Sequence, residues 1–358
     1  MMRHGAGRDE GPARAGGKVG GEGRDGVRGP QAAFRPGRTW LDSGGRPIEA
    51  HQGCVLFDRG TYYWYGADFS GPHLPLAPPR MFSWYYARGT NVYSSSDLYN
   101  WKREGVALAN VDDPAHPLYR LNHVARPKVV RSDATGKYVL MGTLLSPDVN
   151  RGDTHRYPVV AVADTPVGPF EYLGQLPWPG HDTREVLGPD IALVKDEAGK
   201  AYLVSGWGPV WVYELADDCL SIVRGQRLEG VRGEAPAVFR HEVLWYMAVS
   251  ELTGWAANPN TYATAESLLG PWTDRGRFCV GDESDPTFGG QTCFVLPVAG
   301  RDGAFIYVAD RFNAASEFVV DDFRKATHIW LPVQFGPGRG TMRVTWHEEW
   351  DLSFFDGR

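Results

Sequence analysis

The sequence predicts an all-β protein: a five-bladed β-propeller preceded by a disordered N-terminal tail. Three observations carry this. Apolar runs are short and broken by Gly, Pro, Asp and Asn, with no sustained 3.6-residue period. One strand–turn–strand pattern recurs five times along the chain. A small polar cluster precedes the first strand of every recurrence.

Residues 1–38 are rich in Gly, Arg and Asp and poor in large apolar groups. Such a segment buries too little surface to offset its ordering entropy, so disorder is expected there, with one domain over 39–358. The five inner hairpins then follow. His51-Gln52-Gly53 leads into CVLFDRGTYYWYG, and Ala125-Arg126-Pro127 into KVVRSDATGKYVLMG. Gly188-Pro189-Asp190 leads into IALVKDEAGKAYLVSGW, and Gly233-Glu234-Ala235-Pro236 into AVFRHEVLWYMAVS. Gly289-Gly290-Gln291 leads into TCFVLPVAGRDGAFIYVAD. Outer strand pairs follow the hairpins. In three of them an aromatic residue, Trp101, Phe170 or Trp272, opens the last strand after a polar turn. Pro166-Val167-Gly168-Pro169-Phe170 and Leu268-Leu269-Gly270-Pro271-Trp272 are nearly the same phrase. The final unit closes with HIWLPVQF and TMRVTWHEEW. Five units of four strands fit a propeller. A β-sandwich would leave the recurring polar clusters unexplained, whereas in a propeller they meet at the mouth of one axis.

The composition narrows function. The 358 residues carry a formal net charge of -6, which argues against a nucleic-acid face. No run is long and apolar enough to span a bilayer. The first residues lack the apolar stretch of a signal peptide, so the chain as written reads as cytoplasmic. A start codon lying elsewhere would make it a secreted protein instead. Cys54, Cys219, Cys279 and Cys293 form no C-x-x-C pair, so buried free thiols are expected rather than a zinc site. No metal or cofactor is expected, and oligomeric state is not readable. The insertion at 67–89 carries Phe69, Phe82, Trp84, Tyr85 and Tyr86, which suits either an aromatic rim for a sugar ring or a self-packed loop.

Two carboxylates stand in the five clusters, Asp190 and Glu234. Paired carboxylates are what glycoside hydrolysis needs: one protonates the leaving oxygen, and the other acts as base or nucleophile or tunes its neighbour. Glu234 sits at the start of an apolar strand. Burial there and a negative neighbour would both raise its pKa, as a general acid requires.

The order of these units resembles glycoside hydrolase family 43 and, within it, the exo-β-1,3-galactanase (galactan 1,3-β-galactosidase) branch. The resemblance is carried by PIEAHQGCVLFDRGTYYWYG, VYSSSDLYNWKREGVAL, ARPKVV, GEAPAVF, LTGWAANPNTYATAESLLGPWTD, FGGQTCFVLPV and WLPVQF, in order over residues 40–350. It implies an inverting, exo-acting glycosidase on β-1,3-linked galactose or a related plant-type glycan. By match, Glu234 is the acid and Asp190 modulates its pKa. The family's usual base, an Asp in the first unit, is replaced here by His51-Gln52-Gly53. The branch implies that Gln291, in F-G-x-Q, holds the attacking water, which an amide does at a cost of about 10²–10⁴-fold for want of a normal base.

The resemblance further implies sugar contacts by His51, Gln52, Asp68, Arg126, Trp255 and Tyr262. For His51, a hydrogen-bonded ring residue or an axial metal ligand are competing readings. For Trp255 and Tyr262, core packing competes with a sugar platform. Three departures bear on specificity. Ala125 stands where the branch has Glu in E-R-P-K. Ala67, followed by Asp68, stands where the branch has the Glu of W-Y-G-E. Gly188-Pro189-Asp190-Ile191 stands for S-R-D-M. Asp68 or Glu185 would compensate in part. A propeller that binds sugar without cleaving it, or an arabinosidase or xylosidase specificity, are the alternatives.

Overall fold

The computed structural model describes residues 30–74, 83–148, 153–183, 187–317 and 319–356. They form an all-β structure in which short 3-10 turns, such as Pro286–Gly289 and Phe323–Lys325, interrupt the strands. The first sheet is His51–Asp58, Thr61–Ala67, Gly89–Ser95 and Lys102–Ala109, paired antiparallel in that order. The second is His123–Arg131, Tyr138–Asp148, Asp153–Ala163 and Glu171–Gln175. The third begins with Asp190–Lys195, Ala201–Gly206 and Gly208–Leu215. Its last strand, Ile222–His241, runs without a break into the fourth sheet and pairs there with Leu244–Ser250. Thr261–Ala265 and Thr273–Arg277 complete that sheet. The last sheet orders Gln291–Pro297, Phe305–Arg311, Thr327–Phe335, Met342–Thr345 and Cys279–Val280, the final pair parallel.

Local chemistry explains the hairpins. Arg59 and Gly60, both at positive φ (49° and 83°), form a two-residue turn whose twist matches the strands it joins. Gly53 is required by close approach: a Cβ there would lie 1.6 Å from the Tyr65 carbonyl oxygen. The first strands of the sheets pack on one another in sequence. His51–Asp58 lies on His123–Arg131, that on Asp190–Lys195, that on Ile222–His241, that on Gln291–Pro297, and that back on His51–Asp58.

The core lies between sheets. Trp64, Trp101, Trp330 and Trp350 pack in one cluster with Trp40 at its edge, so these tryptophans are core and not sugar platforms. Trp101, Phe170 and Trp272, the repeated strand openers, are all buried. The indoles of Trp101 and Trp272 donate to the carbonyls of Leu98 (3.0 Å) and Leu268 (3.2 Å), which fixes both turns alike.

The expected tail needs correcting over its last part. Residues 1–29 lie outside the described residues, but Phe34 is 1% exposed and stacks on Trp350. Its backbone exchanges hydrogen bonds with Trp350 at 2.7 and 3.1 Å, and Arg35 pairs with Glu349. One large apolar residue is enough to dock this stretch, because burying a Phe is worth about 1.5–3 kcal/mol. All four cysteines are buried free thiols.

Candidate active site

Three of the five polar clusters share a backbone device. Gln52, Arg126 and Ala235, one residue inside each of three clusters, lie in the left-handed region at φ 58°, 51° and 52°. At each the strand register slips, between His51 and Cys54, Ala125 and Lys128, and Glu234 and Ala237. A non-glycine residue held there costs about 1–3 kcal/mol, and such bulges re-aim side chains at the ends of strands. Here they turn the cluster residues toward one another.

What converges is a chain of four side chains. Gln291 Nε2 donates to Glu234 Oε1 at 2.9 Å, and Gln291 Oε1 accepts from Arg126. Arg126 Nη2 lies 3.3 Å from Asp190 Oδ2, which also accepts the Ala235 N–H at 2.9 Å. Gln291 Nε2 further faces the Gly254 carbonyl (3.2 Å) and Ser250 Oγ (3.3 Å). An arginine only donates and a carbonyl only accepts, so these partners settle which end of the Gln291 amide is oxygen. Glu234, Arg126 and Gln291 are buried; Asp190 is partly open.

Burial, then the Asp190 charge, pushes the Glu234 carboxyl up to about 8, against the pull of Arg126, Gln291 and the Gly254 backbone. Glu234 is therefore protonated at neutral pH. Since Oε1 accepts from Gln291, the proton sits on Oε2. Arg126, although buried, is held above its usual value by Asp190. Inversion by two carboxyls calls for a separation of about 6.5–9.5 Å; Gln291 instead bonds directly to Glu234. The amide is close enough to orient the acid, and one lone pair on its oxygen remains for a water.

Beneath this chain lies a second polar cluster. Asp310 accepts from His51 Nδ1 (3.0 Å), the Gln52 N–H (2.6 Å) and His328 Nδ1 (3.2 Å). Burial alone would lower His51, but Asp310 and Glu49 outweigh it and hold the imidazole at about 9. His51 is stacked between Phe69 and His328 and is 2% exposed. This corrects its assignment as a sugar contact: it is an internal, ion-paired ring. Ligand atoms of His51, Asp310 and His328 lie within 4.8 Å of one another, but a protonated His51 would have to lose its proton to bind a cation. The carbonyl of Gln52 accepts from Lys128 Nζ (2.7 Å), a fully buried lysine that burial lowers.

Other expectations are corrected by the partners these side chains already hold. Asp68 is committed to Ser70 (2.8 Å to its N–H) and Asn91 (3.1 Å), so it does not stand in for the missing carboxylate. Tyr262 is core: its hydroxyl donates to the Gly340 carbonyl (3.1 Å) and accepts the Met342 N–H (3.0 Å). Phe69, Trp84 and Tyr85 pack inward, Tyr85 and Trp84 both stacking on His123, so the loop is self-packed where it is described. Phe82 and Glu185 lie outside the described residues. Trp255 follows Gly254 at the site, but its ring edges onto Phe312 and Phe323. Ser250 and Gly254 were not legible as site residues, since a serine at a strand end and a loop glycine carry no distinguishing pattern.

Residues 54–287 match the family model described as glycosyl hydrolases family 43. Among solved structures, a GH43 β-1,3-galactosidase is 30% identical with a TM-score of 0.77, over 91% of this chain and 65% of its own. A second, solved with galactodeoxynojirimycin, is 29% identical with a TM-score of 0.74, over 89% and 100%. An exo-β-1,3-galactanase from Phanerochaete chrysosporium, solved with β-1,3-galactotriose, is 25% identical with a TM-score of 0.72, over 90% and 68%. The chain thus spans about two thirds of the length of the first of these. No curated protein matches.

Proposed function

The chain belongs to glycosyl hydrolase family 43, and from that membership we propose that it is an exo-acting, inverting glycosidase for β-1,3-linked galactose or a related glycan. The fold we propose is a five-bladed propeller, supported by the ring of first-strand contacts described above. Glu234 is the general acid: its Oε2 proton passes to the glycosidic oxygen as the C1–O bond breaks. Asp190 keeps Glu234 protonated until then. Gln291 orients Glu234 through Nε2 and holds the attacking water through the free lone pair of Oε1. The water's proton leaves to solvent, because a neutral amide bonded to Arg126 is a very poor acceptor. The observation that carries this reading is the Asp190–Arg126–Gln291–Glu234 chain, which joins residues from four sheets around one raised carboxyl.

The test is hydrolysis of β-1,3-galactobiose and galactotriose with NMR of the first product anomer. The α-anomer is expected from the wild type, and a first-formed β-anomer would overturn inversion. Glu234→Gln should lower turnover on the order of 10²–10⁴-fold with the fold retained. Unchanged turnover would remove Glu234 from the acid role. One observation favours a different sugar on the same scaffold. Ala125 supplies no polar group, and Thr143 Oγ1, on its cross-strand partner, has no hydrogen bond among the described residues. A panel of aryl β-galactosides, arabinosides and xylosides separates these specificities, and sugar binding without product would mark a binding propeller.

A further inference from the structure

Trp207 is the only tryptophan among the described residues that is strongly exposed, at 42%. Its place in the fold is specific. It is the single residue between Ala201–Gly206 and Gly208–Leu215. Gly206 is the register partner of Asp190, and Gly208 is the register partner of Gly233, the residue before Glu234. The indole therefore rises from a turn held between the strands that carry the two carboxylates.

The flanking glycines bring it close. A Cβ on Gly206 would lie 2.9 Å from the Gly233 carbonyl oxygen and 3.6 Å from the Glu234 Cα. Gly208 is at φ +82°, and a Cβ there would meet the Arg232 guanidinium at 3.1 Å. Arg232 also lines a groove of about 620 Å³ that runs along Arg227–Arg232 toward Thr261–Ala263 and Asp274. The turn that carries this exposed indole thus lies beside the acid's backbone, and Arg232 joins it to a polar groove.

We propose that Trp207 is the stacking platform for the sugar on the leaving-group side of the scissile bond, with the remaining chain passing over Arg232 into this groove. This rests on the reading of Glu234 as the acid. A general acid must face the departing oxygen, so the rim beside it faces the leaving sugar. The C–H face of a galactose residue matches an indole plane, and the groove's polar lining suits the hydroxyls of further residues.

The experiment compares Trp207→Ala, Trp207→Phe and the wild type on β-1,3-galactotriose and on β-galactosyl fluoride, which carries no sugar beyond the bond that breaks. The ratio of their kcat/KM values should fall about tenfold or more in Trp207→Ala and recover largely in Trp207→Phe. An unchanged ratio in Trp207→Ala overturns the proposal. If the wild type cleaves neither substrate, the assigned catalysis fails, and Trp207 is judged by titrating β-1,3-galactobiose while reading tryptophan fluorescence. A change that disappears in Trp207→Ala supports the platform. A change that persists there, or none in the wild type, overturns it.

Discussion

Gln291 donates to Glu234 at 2.9 Å while Arg126 donates to the other end of the same amide. One neutral side chain thus links the buried acid to a buried cation without placing charge on charge. The arrangement lets Glu234 stay protonated 57 residues upstream of its partner while Arg126 neutralises Asp190. Two expectations about pH follow from it, one for activity and one for stability.

Activity requires protonated Glu234, whose carboxyl is held at about 8. kcat/KM should therefore fall as pH rises through about 8, since this profile reports the free enzyme. Asp190 raises Glu234, so Asp190→Asn should move that alkaline limb to lower pH, by roughly one unit. Turnover falls as well. An alkaline limb that stays in place would separate Asp190 from the acid's titration.

Stability follows His51. Its folded value of about 9 exceeds the ordinary 6.5 of an unfolded imidazole, so the stabilisation it brings is complete below about 6.5 and lost as pH rises through about 9. Asp310, which its histidine partners hold well below the carboxylate range, is ionised throughout that window. Burial and the His51 charge lower His328, so its own contribution has the opposite sign and is confined to the acid edge of this window. Glu234 titrates in the same range, so the measurement belongs in a Glu234→Gln background. Unfolding free energies from urea titration there should fall between pH 6.5 and 9 by on the order of 1–3 kcal/mol, and His51→Asn should flatten the trend. Parallel curves for the two proteins would rule the His51–Asp310 pair out as its source.

Asp190 and Glu234 were legible as carboxylates at the start of apolar strands, a position that five repeats make visible, whereas Gln291 took its role only from the family resemblance. That Arg126 touches two of them follows from the left-handed bulges, which no residue type at those positions announces; two are not even glycine-adjacent. His51 and Tyr262 misled for a common reason. A strand pattern says which residues face inward, but not whether that interior is the mouth of the axis or the packing between sheets. His51 faces Asp310, contributed 259 residues later, and Tyr262 faces Gly340, 78 residues later. Trp207 was passed over because a Gly-Trp-Gly turn reads as punctuation. Its meaning comes from the two strands that flank it in register.

The last expectation concerns Phe34, where the start of the described chain meets Trp350. Its ring stacks on Trp350 at 4.4 Å between centroids and lies 4.7 Å from Tyr99 and 5.9 Å from Trp330. It joins the start of the described chain to the first and last sheets at once. Phe34→Ala would leave a cavity that the surrounding indoles, each packed against others, cannot close, and should cost about 3–5 kcal/mol. The loss should appear in the urea midpoint with little change in slope, because the same surface unfolds. Trp350→Ala removes the other half of the contact and the indole's hydrogen bond to the Trp330 carbonyl (2.8 Å). The double variant should therefore lose less than the two single losses added together, since each single change already breaks the shared contact. Strict additivity would mean that Phe34 and Trp350 stabilise the fold independently, and that their contact contributes nothing of its own.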